Sequence, residues 1–292
     1  MKRLVLICLA AALMLRAAAQ DEAAVITYTA GDFFVSILSE GGSTASAGLL
    51  KGASAGQLTE FVPDGTFMLE TQVFLLRAKG KNILIDTGYG RHLFDNLLKP
   101  GLAREQIDAV MLTHLHPDHT GGLLLKGEAA FPNAKLYLSA AEYGYRMALY
   151  ESSALRAAIE AYGDRLVLFE PEAIDATAEE LLPGIRAVKA YGHTPGHCGY
   201  LISSEEERWL IWGDLVHAMT IQMPCPEVGI AFDADSEQAA DSRKAILEYA
   251  AKNRITVGGM HVPFPAVGTV SAGKAGQDGA FVFTPLCLCE GF

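Results

Sequence analysis

An α+β chain, with two mixed β-sheets packed face to face and helices outside, is what this 292-residue sequence predicts. Three observations lead there. Strand-like apolar runs occur in both halves of the chain rather than in one block. Segments with apolar residues at helical spacing fall between them, most clearly at 236–252. Half of the residues are hydrophobic and 20% are charged, which supplies a sizeable core for a single domain.

Residues 1–19 stand apart from that domain. Lys2 and Arg3 lead into a 12-residue apolar run ending at Leu15, and Ala17, Ala18 and Ala19 follow. A basic start, a short apolar stretch and small residues read as a signal for export, leaving 20–292 as the mature domain. The run is too short to span a membrane, and no later segment is long and apolar enough to do so. The formal net charge is −11, and loss of Lys2, Arg3 and Arg16 makes it −14. So acidic a chain has no basic face for nucleic acid, and a small-molecule substrate is the expected partner. Nothing in the chain sets the oligomeric state; a dimer is one option.

In chain order, strands are predicted at 25–29, 33–38, 66–78 and 82–85, with "RAKGKN" (77–82) as the turn between the last two. "TEFVPDGTF", within 58–67, reads as a loop overhanging whatever the chain binds. "IDTGYG" ends an apolar strand at Asp86 in a glycine-rich turn. Helices are predicted at 93–98 and 103–108, a buried strand at 109–112 and another at 135–138. Helices at 140–150 and 154–162 follow, then strands at 185–191, 199–202 and 209–212, the amphipathic helix, and a last strand at 255–258. No internal repeat or low-complexity linker interrupts this order.

The strand at 109–112 runs into "MLTHLHPDHTGG" (111–122), which holds three of the chain's eight histidines and an aspartate in six positions. His114 and His116 alternate on an extended segment and point to one side. Pro117 ends the strand, and Asp118 and His119 turn back toward a neighbouring point. Imidazole nitrogen with carboxylate oxygen suits zinc, iron or manganese, and four such donors suffice for parts of two sites. "GHTPGH" (His193, His197), "WGD" (Asp214) and "GMHVPFP" (His261) each follow a predicted strand end, where a sheet holds a loop in place.

"THLHPDHTGG", "GHTPGH", "WGD" and "GMHVPFP" resemble, in order, the metal-binding motifs of the metallo-β-lactamase superfamily, and "ILIDTG" (83–88) resembles its early strand and turn. The likeness spans about 25–283. It implies an αββα sandwich with the metals at one edge of the two sheets. It also implies two divalent ions, zinc before iron, manganese or cobalt. His114, His116 and His193 would hold the first, Asp118, His119 and His261 the second, and Asp214 would bridge them. His197 and Asp86 are read as supports behind these ligands, and His92 as a surface residue.

The branch most resembled contains acyl-homoserine lactone lactonases and methyl parathion hydrolase. Where those lactonases carry a tyrosine three residues after the bridging aspartate, this chain has His217, which is either a substrate contact or a histidine on a surface turn. Met219, Met223, Phe232 and Phe264 are either pocket lining or plain core. The expected chemistry is attack on a lactone or ester carbonyl by a hydroxide shared between two ions, with Asp118 moving a proton. No G-x-S-x-G elbow suggests a covalent intermediate. A phosphotriesterase, a β-lactamase, a non-catalytic metal binder and an iron-based redox protein are the competing readings, the last lacking a flavin-binding segment. Beyond the signal, Cys198, Cys225, Cys287 and Cys289 allow three pairings or free thiols; a bridge from the tail to Cys225 is one option.

Overall fold

In the computed structural model, residues 24–149, 154–177, 179–273 and 279–286 are described. The predicted export signal at 1–19, Cys287 and Cys289 lie outside them. The first sheet has seven strands lying side by side in chain order. They are β1 (Ala24–Ala30), β2 (Phe33–Ser46), β3 (Thr66–Ala78), β4 (Lys81–Ile85), β5 (Ala109–Met111), β6 (Lys135–Ser139) and β7 (Leu166–Phe169). Pairing is antiparallel through β4 and parallel from β4 to β7. The second sheet, also in chain order, has β8 (Ile185–Lys189), β9 (Cys198–Ser204), β10 (Glu207–Ile211), β11 (Thr256–Gly258), β12 (Val267–Ala272) and β13 (Phe281–Pro285). Only β10 and β11 pair in parallel there.

The apolar runs are continuous because both faces of the first sheet are covered. Along β3, Phe74 and Leu76 join the core between the sheets, while Val73 and Leu75 join the core beneath the outer helices. β5 divides the same way, Ala109 and Met111 inward and Val110 outward. This is the two-residue period of a strand read on two apolar surfaces. The inter-sheet core is completed by Tyr200, Ile211, Trp212 and Val257.

The helices are α1 (Ala55–Phe61), α2 (Leu93–Leu98), α3 (Pro117–Thr120), α4 (Ala140–Leu149), α5 (Ala154–Glu160), α6 (Met219–Gln222) and α7 (Ser236–Asn253). Leu93 and Leu97 of α2 and Ile159 of α5 cover the outer face of the first sheet. Ile246, Leu247 and Ala250 of α7 pack from the second-sheet side. The result is the expected αββα sandwich, and no described helix is long and apolar enough to cross a membrane.

Several predicted elements change. Residues 103–108 form only a 3₁₀ turn, Arg104–Gln106. The supposed loop at 58–67 begins inside α1, whose start is closed by a reciprocal Ser54–Gln57 capping box. β2, predicted to end at 38, continues to Ser46 through an irregularity between Ser39 and Gly42. β7, β12 and β13 were not predicted: the first is four residues long, and the second is rich in glycine, serine and alanine. Cys198 and Cys225 are buried and form no disulfide among the described residues.

Candidate metal centre

The donors converge because strands of both sheets end at one edge of the sandwich. β5 leads to His114 and His116, β8 to His193, β10 to Asp214 and His217, and β11 to His261. Pro117 does more than end a strand. It opens α3 at the first helical position, where its missing N–H removes no helix bond, so Asp118 and His119 are helix residues.

All seven predicted ligands meet here, in two groups that share Asp214. In the first, His114 Nε2 lies 2.8 Å from His116 Nδ1, and His193 Nε2 lies 3.0 Å from the same nitrogen. Asp214 Oδ2 is 3.6 Å from His114 Nε2 and 3.2 Å from His193 Nε2. In the second, Asp118 Oδ2 is 3.7 Å from His119 Nε2 and 3.4 Å from His261 Nε2. Asp214 reaches this group with both oxygens, Oδ1 to His119 and Oδ2 to His261, each at 3.1 Å.

The outward hydrogen bonds fix which ring nitrogens face inward. His119 Nδ1 meets an Asp86 carboxylate oxygen at 2.7 Å, His193 Nδ1 meets Asp233 at 2.9 Å, and His261 Nδ1 meets the Glu70 carbonyl at 2.6 Å. Those oxygens can only accept, so each Nδ1 carries the proton. Thr113 donates its hydroxyl to Asp86, so its oxygen accepts from His114 Nδ1. Four rings therefore turn Nε2 toward Asp214. His119 Nε2 and Asp214 Oδ1 are buried with no hydrogen-bond partner. In the first group, one proton on His116 Nδ1 satisfies at most one of its two close nitrogen contacts. Buried acceptors crowded together need positive charge between them.

The protonation tendencies agree. Burial opposes charge on Asp214, yet His119, His261, His114 and His217 around it hold its carboxyl well below the usual range. Burial likewise opposes charge on His119, but Asp214, Asp118 and Asp86 hold it well above the ordinary imidazole value. His261 is raised against its burial by Asp214, and His193 against its burial to about 8 by Asp214 and Asp233. Burial and neighbouring histidines push His114 well down and His116 to about 2. A site that draws protons onto three rings and denies them to two others matches the donor chemistry of divalent cations, which take the place of those protons.

Other residues take definite places. His197 donates from Nδ1 to the Ala190 carbonyl and accepts the Asp214 N–H on Nε2, so it anchors the shared carboxylate's backbone. His217 is no surface residue: it is buried, lies 3.1 Å from Asp214 and stacks on His261, and burial pushes it to about 4. Its neighbour Gln222 accepts from its backbone N–H. Met223 and Phe264 are core. Phe232 is exposed beside His217, and Met219 joins Phe61 and Met68 around a cleft of about 250 Å³ that Pro263, two residues after His261, also lines. His92 makes no contact with the site; its N–H donates to Glu40. Asp233 escaped the sequence reading, because in "FDADSEQ" it resembles a helix-capping residue like Asp235 two places on.

This fold, with this arrangement of donors at the shared edge, defines a metal-dependent hydrolase. The chain belongs to the metallo-beta-lactamase superfamily, whose sequence profile matches residues 68–259. It is 26% identical over 218 residues to an N-acyl homoserine lactonase from Bacillus cereus, spanning 66% of this chain and 81% of that protein. The crystal structure of hydrolase AbOPH, in the beta lactamase superfamily, superposes with a TM-score of 0.81 at 28% identity, covering 91% of this chain and 98% of that one. AidC, a dizinc quorum-quenching lactonase solved with the product N-hexnoyl-L-homoserine, superposes with a TM-score of 0.79 at 25% identity and the same coverage.

Proposed function

We propose that the chain is an exported dinuclear zinc hydrolase that opens a lactone or ester, with an acyl-homoserine lactone as the first substrate class. The observation that carries this is the convergence of five imidazole Nε2 atoms, those of His114, His119, His193, His217 and His261, on the two oxygens of Asp214. His114, His116 and His193 would hold one ion, Asp118, His119 and His261 the other, and Asp214 both. When bound, such a pair acidifies a shared water and polarises the substrate oxygen.

The chain's own residues do the rest. Asp118, with a side chain 18% exposed, is the open acid of the cluster, suited to take a proton from the nucleophile and hand it to the leaving oxygen. Asp86, Asp233 and the Glu70 carbonyl hold the ring tautomers. His217, 3.1 Å from Asp214 and beside the exposed Phe232, is the side chain assigned to the substrate carbonyl. The cleft beside Phe61, Met68 and Met219 takes an apolar tail and excludes water. Residues 1–19 direct export, leaving 20–292 as one domain.

Elemental analysis of protein purified without added metal should find two ions per chain, zinc foremost. Assayed on N-acyl homoserine lactones of several chain lengths, aryl phosphotriesters and nitrocefin, the zinc-loaded enzyme should favour the lactones. Turnover of phosphotriesters alone would replace the substrate assignment. Two bound ions with no hydrolysis of any of them would reduce the protein to a metal binder.

A further inference from the structure

Glu142, in the first turn of α4, is fully buried. Its carboxylate reaches two loops at once. Oε1 accepts the Leu115 backbone N–H at 3.1 Å, and Oε2 accepts the Gly196 N–H at 3.1 Å. Arg146, one helical turn on, lies 3.4 Å from Oε1. Leu115 separates His114 from His116, and Gly196 stands in the loop of His193 and His197. One oxygen therefore ties down the first-sheet loop and the other the second-sheet loop.

The junction has no slack. A Cβ on Gly196 would lie 2.0 Å from the Glu142 backbone nitrogen, so the loop rests directly on the helix. Past the end of β5, the Leu115 N–H has left the strand ladder, and a buried donor must find an acceptor. A carboxylate is the side chain that offers two acceptor oxygens and no donor. Glutamine at this position would set an NH₂ against one of the two N–H groups.

We propose that Glu142 is a positioning residue that sets the spacing between the loops of His114, His116 and His193, and so tunes metal affinity in that group ahead of the other. This rests on the two-ion reading above. The His116–His193 contact of 3.0 Å crosses from one clamped loop to the other. In the second group, His261 comes from a strand end that Glu142 does not touch and is held by the Glu70 carbonyl. Loosening the clamp therefore opens the first group and leaves the second nearly intact.

The test is stepwise removal of zinc by a graded chelator from the wild-type enzyme and from E142Q, read as ions retained per chain. Wild-type protein should release its ions in two steps. In E142Q the ion of the His114–His116–His193 group should leave at roughly 10- to 100-fold lower chelator, the range found when outer partners of ligands are altered. Glu142→Asp, which keeps both acceptors on a shorter arm, should fall between the two and serves if E142Q does not fold. In metal-free protein, the Leu115 and Gly196 amides should exchange hydrogen faster in either variant. Unchanged amide exchange, or equal weakening of both ions, would overturn the clamp. Wild-type protein holding fewer than two ions would instead overturn the two-ion reading, and the amide exchange would still test Glu142.

Discussion

Asp86→Asn separates metal affinity from folding. Asp86 is fully buried and uses both oxygens: Oδ1 accepts the Thr113 N–H, and Oδ2 accepts the Thr113 hydroxyl and His119 Nδ1–H, each at 2.7 Å. Asparagine keeps the first bond and turns an NH₂ toward His119. Without metal the ring is held protonated on both nitrogens, and it can answer by giving up the Nδ1 proton while keeping the one on Nε2, which faces Asp214 Oδ1 3.1 Å away. Burial already raises the Asp86 carboxyl, so a neutral amide also relieves the cost of a buried charge. The metal-free variant leaves the buried Thr113 hydroxyl without its acceptor, so it should lose no more than about 1–3 kcal/mol. Metal binding fares differently. It requires the Nε2 lone pair, which restores the clash between NH₂ and Nδ1–H and gives up a charge-assisted bond worth about 1.5–3 kcal/mol. At ~1.4 kcal/mol per decade, that is roughly a 10- to 100-fold loss of affinity. Urea unfolding of metal-free protein and chelator competition of loaded protein measure the two sides. A variant that keeps wild-type zinc affinity would refute the tautomer argument, as would one that loses several kcal/mol without metal.

Other perturbations probe neighbouring links. His193→Ala should lower the metal content at saturation to one ion per chain, whereas His197→Ala, which removes an anchor and no ligand, should still reach two ions at higher free zinc; elemental analysis after gel filtration distinguishes them. Gly192→Ala should cost at least about 2 kcal/mol in urea unfolding, because its φ of +123° disfavours a side chain and the added Cβ would sit 2.1 Å from the Ala239 nitrogen. Arg243→Met should cost about 3 kcal/mol or more, since the buried guanidinium donates to the Leu215, Pro226 and Val228 carbonyls behind the site. Chelation of the wild-type enzyme should lower its Tm, with zinc restoring it, by mass action on the folded state.

The ligand cluster and the strands that carry it were legible in the amino-acid sequence for two reasons. Short apolar runs mark buried strands, and histidines packed two and three residues apart have little other use. The order of elements followed from the same runs, except where strands were short or small-residue-rich, as in β7 and β12, and at the irregularity in β2 between Ser39 and Gly42. Asp86 was visible as the end of a strand, but not as the partner of His119, 33 residues away. Nothing in the sequence sets Asp233 or Glu142 apart from other acids near a helix start, and His217, open there to a substrate contact or a surface turn, is buried beside Asp214. Local sequence determines which residues carry donor atoms and which strands bring them to an edge. The partner that orients each ring, and the carboxylate that holds two loops together, come from distant segments that meet only when the two sheets pack, so the tertiary structure alone decides them.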